Sequence, residues 1–120
     1  MLVYNRYLKE LGVKSTDYPF NKASKPGEDG IIPEHLWDLD RTMTMELYTY
    51  IKAFQERCGG IPACYTEKQW DTILQKIVDG LAWKVVHGQD FADTPGFKEG
   101  NTSFWKALHL LFENWNCFWY

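Results

Sequence analysis

Two short stretches bring acids and histidine together at spacings that suit metal binding or acid–base chemistry. In "EHLWDLD", Glu34, His35, Asp38 and Asp40 fall within seven residues, and carboxylates with imidazole are ligands for Mg²⁺, Mn²⁺ or Zn²⁺. Asp38 and Asp40 stand at i and i+2, however, where two helical side chains diverge. The same place suits a carboxylate that caps free backbone N–H groups and meets the positive end of a helix dipole. Capping is the preferred reading. Asp40 projects onto the apolar stripe of the helix that follows, which makes it the expected cap and leaves Asp38 the freer acid. In "HGQDFAD", His87, Asp90 and Asp93 could supply metal ligands or a general base. Polar loops carry Asp and Gly for turn chemistry alone, and a solvated loop is the preferred reading here too.

The sequence contains no GxSxG, Walker-type glycine loop, HExxH or GxGxxG. "KPGEDG" has glycines and a lysine but no apolar helix after it to present a phosphate, and His109 falls on the polar face of the last helix. No catalytic residue, metal ligand or cofactor is assigned. A third constellation pairs rings with cations. Trp83, Lys76 and His87 share one side of the third helix, while Tyr48 and Arg41 share an off-core side of the second with Lys52, and Trp37 stands just before it. Stacking on an aromatic face, with cations for the phosphates, holds a nucleotide without chemistry. Trp37, Arg41, Tyr48, Lys76, Trp83 and His87 are therefore the candidate ligand-binding residues. The competing reading is that Trp83 and Tyr48 bury against the long loops or a second subunit.

These side chains must be positioned by helices, because no period-two alternation appears anywhere. Tyr4, Tyr7, Leu8 and Leu11 predict a short helix over 3–12 that ends at Gly12. Residues 13–34 carry three prolines and no periodicity, and read as a long loop whose ends pack down through Tyr18, Phe20, Ile31 and Ile32. A helix over 40–57 places Met43, Leu47, Tyr50, Ile51 and Phe54 on one arc, and Gly59-Gly60 ends it. Thr66 and Gln69 form a capping-box pattern, with Tyr65 and Trp70 spaced for a hydrophobic staple. From there Trp70, Ile73, Leu74, Ile77, Val78, Leu81 and Val85 mark the core side of the third helix. Trp83 falls nearly opposite, so its ring requires another segment, a subunit or a ligand. A second loop is predicted over 87–101. The last helix starts near Thr102 or Ser103, with Phe104, Ala107, Leu108, Leu111, Phe112, Trp115, Phe118 and Trp119 on one broad stripe. The expected fold is all-α, one domain over 1–120 with three principal helices, a short N-terminal helix and two long loops.

Composition narrows the function. A formal charge of −3 argues against a dedicated binder of polymeric nucleic acid, which needs a basic patch. No apolar run is long enough to span a bilayer and the first residues are too polar for a signal peptide, so a cytoplasmic protein without membrane contact is expected. Cys58, Cys64 and Cys117 lack CxxC spacing and read as reduced, partly buried thiols. Aromatic residues make up 17% of the chain, with six tryptophans. Trp83, Trp105, Met45 and Leu110 fall at or beyond the edges of the apolar stripes, and surplus apolar surface marks a partner site. A homo-oligomer, most simply a twofold dimer, is expected.

"LWDLD", an amphipathic helix, a Gly/Pro break, "EKQWDTILQKIVDGL" and "FWKALHLLFENWNCFW" together resemble small helical proteins encoded by bacteriophages. In those proteins a W-(D/N)-L-D start opens one helix and W-x-x-I-L-x-K carries the next. The likeness covers residues 35–120 and rests on the order of motifs; the first 34 residues match no such pattern. "LYTYIKAF" lacks the proline of an L-P-R-L-K segment, and the last helix lacks a Gly-Leu start. The resemblance implies a phage accessory protein acting in the infected host's cytoplasm and supplies no catalytic residues. By association it implies antagonism of host antiviral defence, through sequestration of a nucleotide-derived immune signal or blockade of a host protein. A metal-dependent nucleotide hydrolase using Asp38, Asp40, His87 or Asp90 is the remaining alternative.

Overall fold

The structure is a computed structural model that describes residues 2–20 and 25–118. Among these residues it is all helical, with no strand. Helix α1 spans Arg6–Glu10, α2 Leu39–Arg57, α3 Glu67–His87 and α4 Phe97–Glu113, with single 3-10 turns at Pro33–Leu36 and Trp115–Cys117. Contacts that pair early residues of one helix with late residues of the next show an up–down–up arrangement. Gln55 donates to Gln75 at 3.0 Å, while Asp40 meets Lys84 at 3.1 Å at the other end of α2 and α3. The α3–α4 packing is the most extensive in the molecule.

Helix α3 is the central element, and its local sequence explains its start. Thr66 accepts from the Gln69 backbone N–H at 3.2 Å, and the Gln69 side chain accepts from the Thr66 N–H at 2.9 Å. Tyr65 stacks on Trp70 with ring centres 5.8 Å apart, completing the staple. Trp70, Leu74, Ile77, Val78, Leu81 and Val85 are buried on the expected face. Leu8, Met45, Ile77, Leu81 and Leu111 have no exposed surface, so four parts of the chain meet in one core.

Helix α1 has five residues, too few to persist alone, and is held from outside. Asn5 caps it by accepting from the Tyr7 and Leu8 N–H groups, and also donates to Thr49 at 3.1 Å. Arg6 and Tyr7 both donate to Glu56, at 2.6 and 3.0 Å. Gly12, at φ 91°, ends the helix in the left-handed conformation expected of it.

Helix α2 corrects the expected arc. Its buried residues are Thr42, Thr44, Met45, Tyr48 and Ile51, whereas Met43 and Tyr50 are more than half exposed. Residues 2–13 lie on the side of α2 assigned to solvent, and Leu2, Tyr7, Leu8 and Val13 join Met45 and Tyr48 in the core cluster. Two candidates thereby change place: Tyr48 is a core residue rather than an off-core ligand contact, and Met45 is fully buried rather than surplus surface.

Two boundaries also move. The second loop ends at Gly96, because α4 begins at Phe97, five residues before Thr102. Between residues 13 and 34, the described part consists of turns. Phe20 meets Tyr4 edge-on at 5.4 Å and Ile32 is buried, but Ile31 is exposed. Trp119, assigned to the last apolar stripe, lies outside the described residues. Cys58, Cys64 and Cys117 are free thiols.

Candidate functional site

The close approach of α3 and α4 opens a cleft at its edge. A Cβ on Gly80 would stand 2.3 Å from the Ala107 Cβ and 2.7 Å from the Ser103 carbonyl oxygen, so only glycine permits this crossing. One turn further along α3, the Trp83 indole lies against Gly100, where a Cβ would meet Nε1 and Cε2 at 2.0 Å. Phe97 holds the same indole edge-on at 5.3 Å. This contact accounts for the misplaced boundary of α4. Gly100, Asn101, Thr102 and Ser103 are weak helix formers, and helix persists through them because the indole packs on the bare backbone of Gly100.

The surface that Trp83 requires is thus supplied first by α4, and a cleft of about 700 Å³ lies beside it. From α3 the cleft is lined by Lys76, Asp79, Gly80 and Trp83, and from α4 by Gly100, Ser103, Lys106, Ala107, His109 and Leu110. Lys76 and Lys106 form no ion pair among the described residues, while Asp79 accepts from Gln75 at 2.7 Å and His109 meets Glu113 at 3.0 Å. With two ammonium groups against one carboxylate, the lining is positive in a chain whose formal charge is −3. A concave wall of this kind concentrates anions. The other large hollow, over Thr66, Glu67, Lys68, Asp71, Thr72 and Gln75, is lined by the first turns of α3 alone and has no second wall.

The candidate residues separate into three places. Lys76 and Trp83 line the cleft, and the His87 ring sits 6.0 Å from that of Trp83 while pairing with Asp90 at 3.1 Å. Trp37 and Arg41 gather instead on Tyr18: the Trp37 ring stacks on it at 6.2 Å with planes 5° apart, and Arg41 donates to its carbonyl at 2.9 Å. The Tyr18 hydroxyl donates to the Glu34 carbonyl. Burial first, then the nearby Asp38 and Glu34, raise its pKa above the ordinary phenol value. Tyr48 is in the core. Lys106, Ser103 and His109 were not among the candidates. Their signal is the i, i+3, i+7 spacing of Ser103, Lys106 and Leu110, opposite Lys76, Asp79 and Trp83 at the same spacing on α3.

The acids of "EHLWDLD" do not act as expected. Asp38 takes the N-cap position of α2 at φ 49°, with no side-chain cap bond. Asp40 is not the cap: its carboxylate reaches Lys84 across to α3 at 3.1 Å. The Lys84 hydrogen bond holds its pKa below the ordinary value, with burial opposing and backbone N–H groups assisting. A charged partner is a stronger draw than an amide, which explains the choice. Among the described residues, no three His, Cys, Asp or Glu side chains form a group able to hold a metal ion. No described helix is long and apolar enough to cross a membrane. No protein-family model, curated protein or solved structure matches this chain.

Proposed function

We propose that the α3–α4 cleft binds a small anionic ligand of nucleotide type and releases it chemically unchanged. The observation that carries this reading is the indole of Trp83 in the wall of a cleft of about 700 Å³ bordered by Lys76 and Lys106. The ring offers stacking to a base, the two ammonium groups offer charge to phosphates, and Ser103 offers a hydroxyl. Ring, cations and hydroxyl are the groups that hold a base and its phosphates, and retention without chemistry is the reading they support. Read with the likeness of residues 35–120 to small phage-encoded helical proteins, the ligand class becomes a nucleotide-derived immune signal of the host. The role becomes its sequestration during infection.

The test is incubation with a panel of mononucleotides, cyclic dinucleotides and cyclic trinucleotides, followed by filtration and mass analysis of the free and heat-released fractions. Retention of one class with its mass unchanged on release is expected. Trp83→Ala should weaken it by roughly 5- to 150-fold, the equivalent of a stacked base at about 1–3 kcal/mol, with the helical circular dichroism intact. Retention of none of the panel, or recovery of a cleaved product, overturns the reading.

A further inference from the structure

One edge of the apolar arc of α2 is turned away from the core, while Ile51 and Leu47 pack into it. Met43 is 53% and Tyr50 62% exposed, one heptad apart on the same side of the helix. This arc continues onto other elements. Tyr50 and Leu47 border a groove of about 290 Å³ that Ile51 and Leu111 floor and Trp115 and Phe118 close. Tyr50 also borders a smaller hollow of about 180 Å³ with Leu2 and Val3. Beyond the groove, Phe112 rests on Trp115 with ring centres 5.7 Å apart. Val3, Tyr50, Phe112 and Trp115 thus form one surface, with Met43 two turns along α2 from Tyr50, each more than half exposed. Glu46 is the single charged side chain lining either hollow.

The size of this surface decides what covers it. At the areas such side chains carry, these five leave on the order of 600 Å² of apolar surface bare, the upper end for a monomer. A standard protein interface removes about 800 Å² from each partner, so this patch and its rim suffice for one. The shape bears on the partner. Tyr50 and Trp115 form the exposed walls of a groove with room for one aromatic ring, so a surface carrying both ring and recess can pair with its own copy across a twofold axis. We propose that a second copy of this chain docks here as a closed dimer, the Tyr50 ring of each copy entering the groove beside the other's Trp115. No residue of the α3–α4 cleft lines this face, so the two proposals stand or fall separately.

The test is sedimentation velocity on the full chain across a concentration series. A species of twice 14.1 kDa is expected at about 100 μM, dissociating on dilution. Tyr50→Glu and Trp115→Glu should each weaken association by about thirtyfold or more, as removal of a central aromatic contact does. Both retain the helical circular dichroism, because both side chains are mostly exposed. If either loses structure, Tyr50→Ser serves in its place. Lys76→Ala, in the cleft, should leave association unchanged. A 14.1 kDa species throughout the series, a dimer indifferent to substitution at Tyr50 and Trp115, or assemblies that keep growing with concentration each overturn the proposal. A stoichiometric foreign protein on this face with the chain otherwise monomeric does so as well.

Discussion

Along the α3–α4 seam, Gly80 brings two helix backbones together and Gly100 admits an indole. The outer side of α2 instead leaves Met43 and Tyr50 largely exposed. Both regions are rich in apolar surface, yet only the first is satisfied within one chain. The difference lies in the small residues. Where Gly80, Gly100, Ser103 and Ala107 thin the helix surfaces, large side chains find a backbone to lie against and the contact closes. Where α2 presents Met43 and Tyr50, no equally thin neighbour faces them, and a groove remains beside Tyr50.

Substitutions that thicken the seam should break this contrast most strongly. Gly80→Val forces side-chain atoms into Ala107 and the Ser103 backbone, and is expected to lower unfolding free energy by about 3 kcal/mol in urea titration. Gly100→Ala strikes only the indole of Trp83. A loss of about 1–2 kcal/mol, with a shift of tryptophan emission as the ring is displaced, is expected there. Thr66→Ala removes the side-chain bond at the head of α3, at about 1 kcal/mol by thermal or urea unfolding. Smaller still is the Asp40–Lys84 pair, whose carboxylate is largely exposed. The folded pKa of Asp40 is depressed. Its stabilisation is therefore fully present above the unfolded value and fades as pH falls through the folded one. In Asp40→Asn that acid-side decline should be shallower, with a difference of no more than about 1 kcal/mol at neutral pH. Met43→Gln, on the uncovered face, should alter unfolding of the separated chain by less than about 0.5 kcal/mol.

Sequence reading succeeded where local chemistry decides the outcome. The Thr66–Gln69 box and the Tyr65–Trp70 staple depend on residues five apart or fewer, and α3 follows from them. It failed at α2, because helical periodicity ranks residues by type and passes over Thr42 and Thr44. Met45 and Tyr48, on the same helix, are buried by a segment some 35 to 45 residues upstream that no local pattern connects to them. The start of α4 was hidden for a related reason: Gly100 reads as a breaker until Trp83 is known to lie on it. Trp83 itself was legible as a ring in need of cover, and Lys76 as its neighbour. Lys106 and Ser103 became visible only once α4 was known to run beneath the indole.

Residues 2–13 clasp the back of α2 through Asn5, Arg6 and Tyr7, burying Met45 and Tyr48 beneath them. On the ribosome this stretch is made before its landing place, which follows dozens of residues later and is itself shaped by α3. The strap can seat only after α2 and α3 have been made. Until then Met45 and Tyr48 lack the cover that Leu2, Tyr7, Leu8 and Val13 give them, and the flank of α2 stays open.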